Sequence, residues 1–116
     1  MATKSGNPAQ LKELLYQALE TEMGGVKVYE TAVSCAVDSD LQGEWEEYLE
    51  QTKQHVGVLI GVCGCLGLDP LTQTPGRKVV AHIGASLVQA MEMAKAAGDP
   101  VAAELVAADC AVHADT

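Results

Sequence analysis

A chain of 116 residues with a formal charge of −9 is long enough for one domain of three or four packed helices. The acidity argues against nucleic acid and anionic membrane surfaces as partners, because both repel it. Apolar residues make up 48% of the chain, yet aromatics are only 3% and Phe is absent, so the core must be built from Ala, Val, Leu and Met, and small side chains imply closely approaching helices.

Taken in chain order, the N-terminus "MATKSGNPAQLKELL" has no apolar signal segment. Asn7-Pro8 is a cap followed by proline at the first helical position, and a helical pattern then runs over about 8–37. "DSD" at 38–40 is a tight turn that caps a second helix over about 41–66, which stops at Gly67 ahead of Asp69-Pro70. "GLDPLTQTPGR" is the one substantial loop. Thr74-Pro75 repeats the cap-plus-proline signal and opens a third helix over about 75–97. Gly98 ends it, and Asp99-Pro100 starts a fourth over about 100–115. Nothing alternates with a period of two, so strands are not expected.

The longest uncharged run with core character, 54–68, is too short and too glycine-broken to span a bilayer, which places the protein in the cytoplasm. Four cysteines, Cys35, Cys63, Cys65 and Cys110, are read as free and buried thiols. A helical Cys63-x-Cys65 separates its sulfurs by roughly 200°, and there is no second close pair to complete a thiolate metal site.

The first two helices carry a regular seam. In the first it reads Leu11, Leu15, Ala18, Glu22, Gly25, Tyr29, Ala32 and Ala36; in the second, Leu41, Trp45, Tyr48, Thr52, His55, Leu59, Val62 and Leu66. The alternating spacing of four and three predicts antiparallel helices packed near 20°. A hairpin turning between 38 and 39 makes facing residue numbers add to 77, which sets Glu22 opposite His55 and Ala18 opposite Leu59. Thr52 and Tyr29 lie one turn away, so a polar layer is expected inside an otherwise apolar seam. Unpaired burial of a carboxylate and an imidazole costs several kcal/mol, so the two must meet each other, a metal, or groups of the other helices.

"ALETEMGGVKVYE" followed by "YLEQTKQHV" resembles the first helix pair of ferritin-like proteins of the rubrerythrin type. In that family a core Glu precedes a Tyr by seven residues, and the next helix supplies Glu-x-x-His. The resemblance covers roughly residues 10–68. It implies an all-α, ferritin-like antiparallel up-down four-helix bundle as a single domain over 1–116. It also implies that Glu22 is the first-helix metal ligand, Tyr29 the nearby core tyrosine and His55 the second-helix histidine. Oxidase or peroxidase-like chemistry is the active form of such a centre. This chain departs from the pattern at Thr52, which stands where the family has its second carboxylate. Glu50 is about 140° away around the helix from His55, while Gln51 can lean in. Nitrogen and oxygen donors suit iron, manganese or zinc, the family resemblance favours iron or manganese, and the missing carboxylate implies one weakly bound ion.

In the second helix pair a turn at 98–99 makes facing numbers add to 197. The level of Glu22 then falls at His82 and Asp115. Asp109 and His113, an i, i+4 pair able to chelate one ion, are further candidates. Glu92 lies off the Val80, Ile83, Leu87, Ala90, Ala94 stripe. The fourth helix is expected to be short and to lack the family's final His. Gly57, Gly61 and Gly64 form a stripe beside the seam of the second helix, and Gly24-Gly25 interrupts the first. Interior glycines weaken a helix unless another backbone comes close, which predicts a homo-oligomer, a dimer or larger. The alternative to metal binding is a catalytically silent, oligomerising helical module in which Glu22 and His55 form a structural pair that fixes register.

Overall fold

The computed structural model describes residues 7–115, with side chains through Ala114. Four helices make up the described chain: α1 (Pro8–Cys35), α2 (Ser39–Cys65), α3 (Pro75–Ala96) and α4 (Pro100–Asp115). They pack against one another with no strand among the described residues.

Each boundary follows from local chemistry. Asn7 Oδ1 accepts from Gln10 N at 2.8 Å, and Pro8 follows it at the first helical position, where its missing N–H costs nothing. Thr74 Oγ1 accepts from Arg77 N at 3.1 Å, and Asp99 Oδ1 accepts from Val101 N and Ala102 N, opening α3 and α4 in the same way. At the end of α2, Gly67 adopts φ +70°, Leu68 N donates to Cys63 O, and Gly67 N donates to Gly64 O. This paired closure of the last carbonyls needs a left-handed residue, which glycine adopts without steric penalty. Gly98, at φ +88°, ends α3.

The first turn comes two residues earlier than the sequence implies: α1 stops at Cys35, and α2 begins at Ser39. Ala36 is extended, and the carboxylate of Glu104 on α4 accepts from Val37 N at 2.6 Å and Asp38 N at 2.8 Å. Those amides are held by a distant side chain instead of continuing α1. Asp38 then caps α2 by accepting from Asp40 N and Leu41 N. Gly24 and Gly25 do not interrupt α1, which runs unbroken through them. A Cβ on Gly84 would lie 3.5 Å from Gly24 Cα, so these glycines mark the close approach of α1 and α3.

The seam register is as the spacing predicts. Glu22 meets His55, a Cβ on Gly25 would lie 3.2 Å from Thr52 Cγ2, and the rings of Tyr29 and Tyr48 are 5.9 Å apart. Ala18 and Leu59 line one cleft, and Leu11 and Leu66 another. In the second pair Cys110 Sγ donates to Leu87 O, and 87 and 110 are partners in the expected register.

The helices close around only part of this seam. α1 has backbone neighbours on α2, α3 and α4, whereas α2 has them on α1 alone. Val28, Tyr29, Ala32, Cys35, Trp45 and Met91 form the core with small residues of α4, in the half of the bundle nearest the first turn. Toward the other end, His113 and Ala114 line a cleft with Glu20, Thr21, Gly24 and Gly25. Along the same half of the bundle α1 and α2 form two open apolar clefts, one bordered by Ala18, Val58 and Leu59 and one by Leu11, Leu66 and Leu68. The chain measures 55 × 24 × 24 Å with a radius of gyration of 16.3 Å, against about 13 Å for a compact domain of this length.

All four cysteines are free; Cys35, Cys63 and Cys110 are buried as expected, but Cys65 is exposed. Burial pushes the Cys110 thiol up from its ordinary value, and the neighbouring charges of Asp109 and Cys35 add to the shift. Cys35, Cys63 and Cys110 are expected to react with an aromatic disulfide reagent only as fast as the helices open. Counting thiols in native and denatured protein checks this, and three additional equivalents on denaturation is the expected result.

Candidate functional site

Glu22 sits on α1 and His55 on α2, brought level by the seam register. His55 Nδ1 and Glu22 Oε1 are 2.7 Å apart. A carboxylate only accepts, so the proton lies on His55 Nδ1, which donates; in the neutral ring the lone pair is then on Nε2. The pair borders a cleft of about 410 Å³ that is also lined by Ala18, Thr21, Val58 and Leu59.

The polar layer is not buried as the seam pattern implies. The His55 side chain is 61% exposed and that of Glu22 28%. Both residues lie on the seam, but at their level no third helix covers it. Thr52 and Tyr29, one turn closer to the core, are buried as expected. The hydroxyl of Thr52 donates to Tyr48 O at 2.7 Å, so it is turned back into its own helix and away from His55.

The other candidate ligands stay apart from this pair. His82 is exposed on α3; the residue of that turn that lines the central cleft is Ile83. The level was correct and the face was not, because adjacent helical positions point about 100° apart. Asp109 and His113 are exposed on α4, and His113 borders the cleft with Glu20, Thr21 and Gly84. Glu92 is exposed. The side chain of Asp115 lies outside the described residues. Among the described residues no group of three or more His, Cys, Asp or Glu side chains is placed to hold an ion.

The best-built polar site involves a residue that the sequence reading did not single out. Arg77, 1% exposed, donates through Nε to Glu20 Oε1 at 2.7 Å and through Nη1 to Pro70 O at 2.6 Å and Thr72 O at 2.9 Å. Nη2 donates to Met23 Sδ at 3.5 Å, and the guanidinium carbon lies 5.6 Å from the centre of the Tyr16 ring. Alongside it, Glu13 Oε2 accepts from Thr74 Oγ1 at 3.0 Å and from Gln17 Nε2 at 2.7 Å. These bonds tie the 66–74 loop and the start of α3 to α1. A signal existed in the sequence: Arg77, Val80, Gly84, Leu87 and Met91 are spaced by three and four, so Arg77 sits on the apolar face of α3 that packs on α1.

No helix among the described residues is long and apolar enough to cross a membrane. Compared with protein-family models, curated proteins and solved structures, the chain matches none.

Proposed function

We propose that the chain is a ferritin-like bundle of antiparallel up-down helices, cytoplasmic, in which the Glu22–His55 pair takes one iron or manganese ion weakly. The observation that carries this reading is the 2.7 Å bond between carboxylate and imidazole at facing seam positions, beside an open cleft. Its chemistry is that of a carboxylate orienting a histidine: Glu22 fixes the tautomer and turns Nε2 outward as the donor. Glu22 serves as a direct ligand only by giving up that bond.

The residues present do not furnish a closed centre. One imidazole and one carboxylate fall short of the four to six donors that such ions take, and the Thr52 hydroxyl is engaged elsewhere. Among the described residues two ions have no ligand set, which leaves a dinuclear oxidase or peroxidase-like step without support. A second reading draws on the exposure of His55: the pair is a surface ion pair that fixes helix register, in a catalytically silent helical module. Exposed pairs contribute about 0–1 kcal/mol.

Calorimetric titration with iron(II) under anaerobic conditions, and with manganese(II), separates the two. The metal reading expects one ion per chain. His55→Leu should abolish it while changing stability by no more than about 1 kcal/mol. Glu22→Gln should weaken binding by about 10–100-fold, the cost of losing an orienting partner. A parent protein that binds neither ion leaves the structural pair.

A further inference from the structure

We infer that the open end of the bundle is a self-association surface, and that its groove receives the 54–68 segment of α2 from a second copy. The inserted segment includes His55, and Val58 also borders the cleft beside the Glu22–His55 pair, so association is to be measured in metal-free protein.

The groove consists of two apolar clefts between α1 and α2, one lined by Leu11, Leu66 and Leu68 and the other by Ala18, Val58 and Leu59. In the same half of the bundle the side chains of Leu11, Leu14, Val58, Val62, Val79 and Ile83 are 38–63% exposed. At about 60–100 Å² each they give on the order of 500 Å² per copy, near the upper end of apolar patches on monomers. Two such surfaces together reach about 1,000 Å², the lower bound for a biological interface.

The chemistry of the rim selects the occupant. The carboxylates nearest the groove are already engaged: Glu22 by His55, Glu20 by Arg77, and Glu13 by Gln17 and Thr74. The surface therefore fits a neutral apolar partner in preference to a basic one. The chain itself supplies such a partner. Residues 54–68 contain no Asp, Glu, Lys or Arg, whereas the preceding half of α2 carries Asp40, Glu44, Glu46, Glu47 and Glu50. Copies of net charge −9 repel each other, and contact through the neutral halves keeps the acidic halves apart.

The same segment is shaped for close approach. α2 has backbone neighbours only on α1, so its far side is unobstructed. A Cβ added to Gly57, Gly61 or Gly64 meets nothing within 4 Å. No contact inside one chain explains three glycines that weaken the helix relative to Ala. Against a second copy they allow two backbones to approach. Under two-fold symmetry each copy inserts α2 into the other's groove, an isologous arrangement that closes and does not propagate.

Sedimentation equilibrium of metal-free protein across the micromolar range tests this, with circular dichroism to verify that each variant is folded. The parent is expected to be a dimer. Val58→Glu, which sets a carboxylate in the apolar contact, should raise the dimer dissociation constant by about 100-fold or more. Gly61→Leu fills space that is open in the single chain, so its melting temperature at low concentration should hold or rise, while dimerisation weakens by at least about 10-fold. Leu105→Glu, on the exposed face of α4 in the other half of the bundle, should leave the constant unchanged. A parent that remains monomeric throughout overturns the inference. So does a dimer that withstands both Val58→Glu and Gly61→Leu, or one that Leu105→Glu disrupts equally.

Discussion

Arg77→Met is expected to destabilise the chain by about 3–5 kcal/mol, the cost of breaking a buried ion pair by removing one partner. Against a total stability of about 5–15 kcal/mol for a small domain, that is a large fraction. The reason is the environment of the guanidinium. Arg77 is 1% exposed, and the side chain of Glu20 only 15%. Without the cation Glu20 keeps a largely desolvated charge, and the carbonyls of Pro70 and Thr72 lose their donor. Arg77→Lys should recover only part of the loss, because one ammonium cannot reproduce the planar fork that reaches Glu20 and the loop together. In the double variant Arg77→Met/Glu20→Leu both charges are gone, and a substantial part of the stability should return. Urea unfolding followed by circular dichroism measures all three. A loss below about 1 kcal/mol for Arg77→Met contradicts this assignment.

Trp45→Ala is expected to cost about 3–5 kcal/mol, as for other large core truncations. Trp45 is 4% exposed and joins α2 to the core cluster that contains Ala103, Ala107 and Ala111 of α4. α2 and α4 have no close backbone approach, so large side chains must bridge them. Alanines facing it on α4 cannot extend to fill the space that its removal leaves. The loss should appear as a lower denaturation midpoint together with loosening of α2, seen as faster amide exchange over 41–52 than over α1. Uniform exchange across both helices, or a loss below about 1 kcal/mol, is the contrary result.

Much of the fold was legible because its signals are local. Proline after a cap residue at Asn7 and Thr74, and glycine after the last helical turn at 67 and 98, fix the helix ends within two residues. The seam register was legible because spacing by four and three, read from both sides of a short turn, allows one pairing. Burial was not legible in the same way. The seam pattern states which residues face another helix and leaves open whether a third and fourth helix cover them. Glu22 and His55 lie on the predicted faces, yet they are open to solvent because α2 has backbone neighbours on α1 alone. His82 failed on rotation: the position level with Glu22 was correct, but its neighbour Ile83 carries the inward face. Arg77 was overlooked because an arginine is ordinarily read as surface. Its burial depends on loop carbonyls at 70 and 72 whose positions no periodicity encodes.

The central proposal is that His55, oriented by Glu22, offers a ring nitrogen to one metal ion at the open end of the bundle. Long-range nitrogen–proton spectra of the three histidine rings during a manganese(II) titration test it most directly, since the paramagnetic ion broadens only what lies near it. At substoichiometric manganese the His55 ring is expected to broaden selectively, together with the amides of Thr21 and Leu59 beside it, while the His82 ring remains sharp. In His55→Leu the Thr21 and Leu59 signals should no longer respond. Equal broadening of all three rings, or a His55 ring that stays sharp at excess manganese, contradicts it.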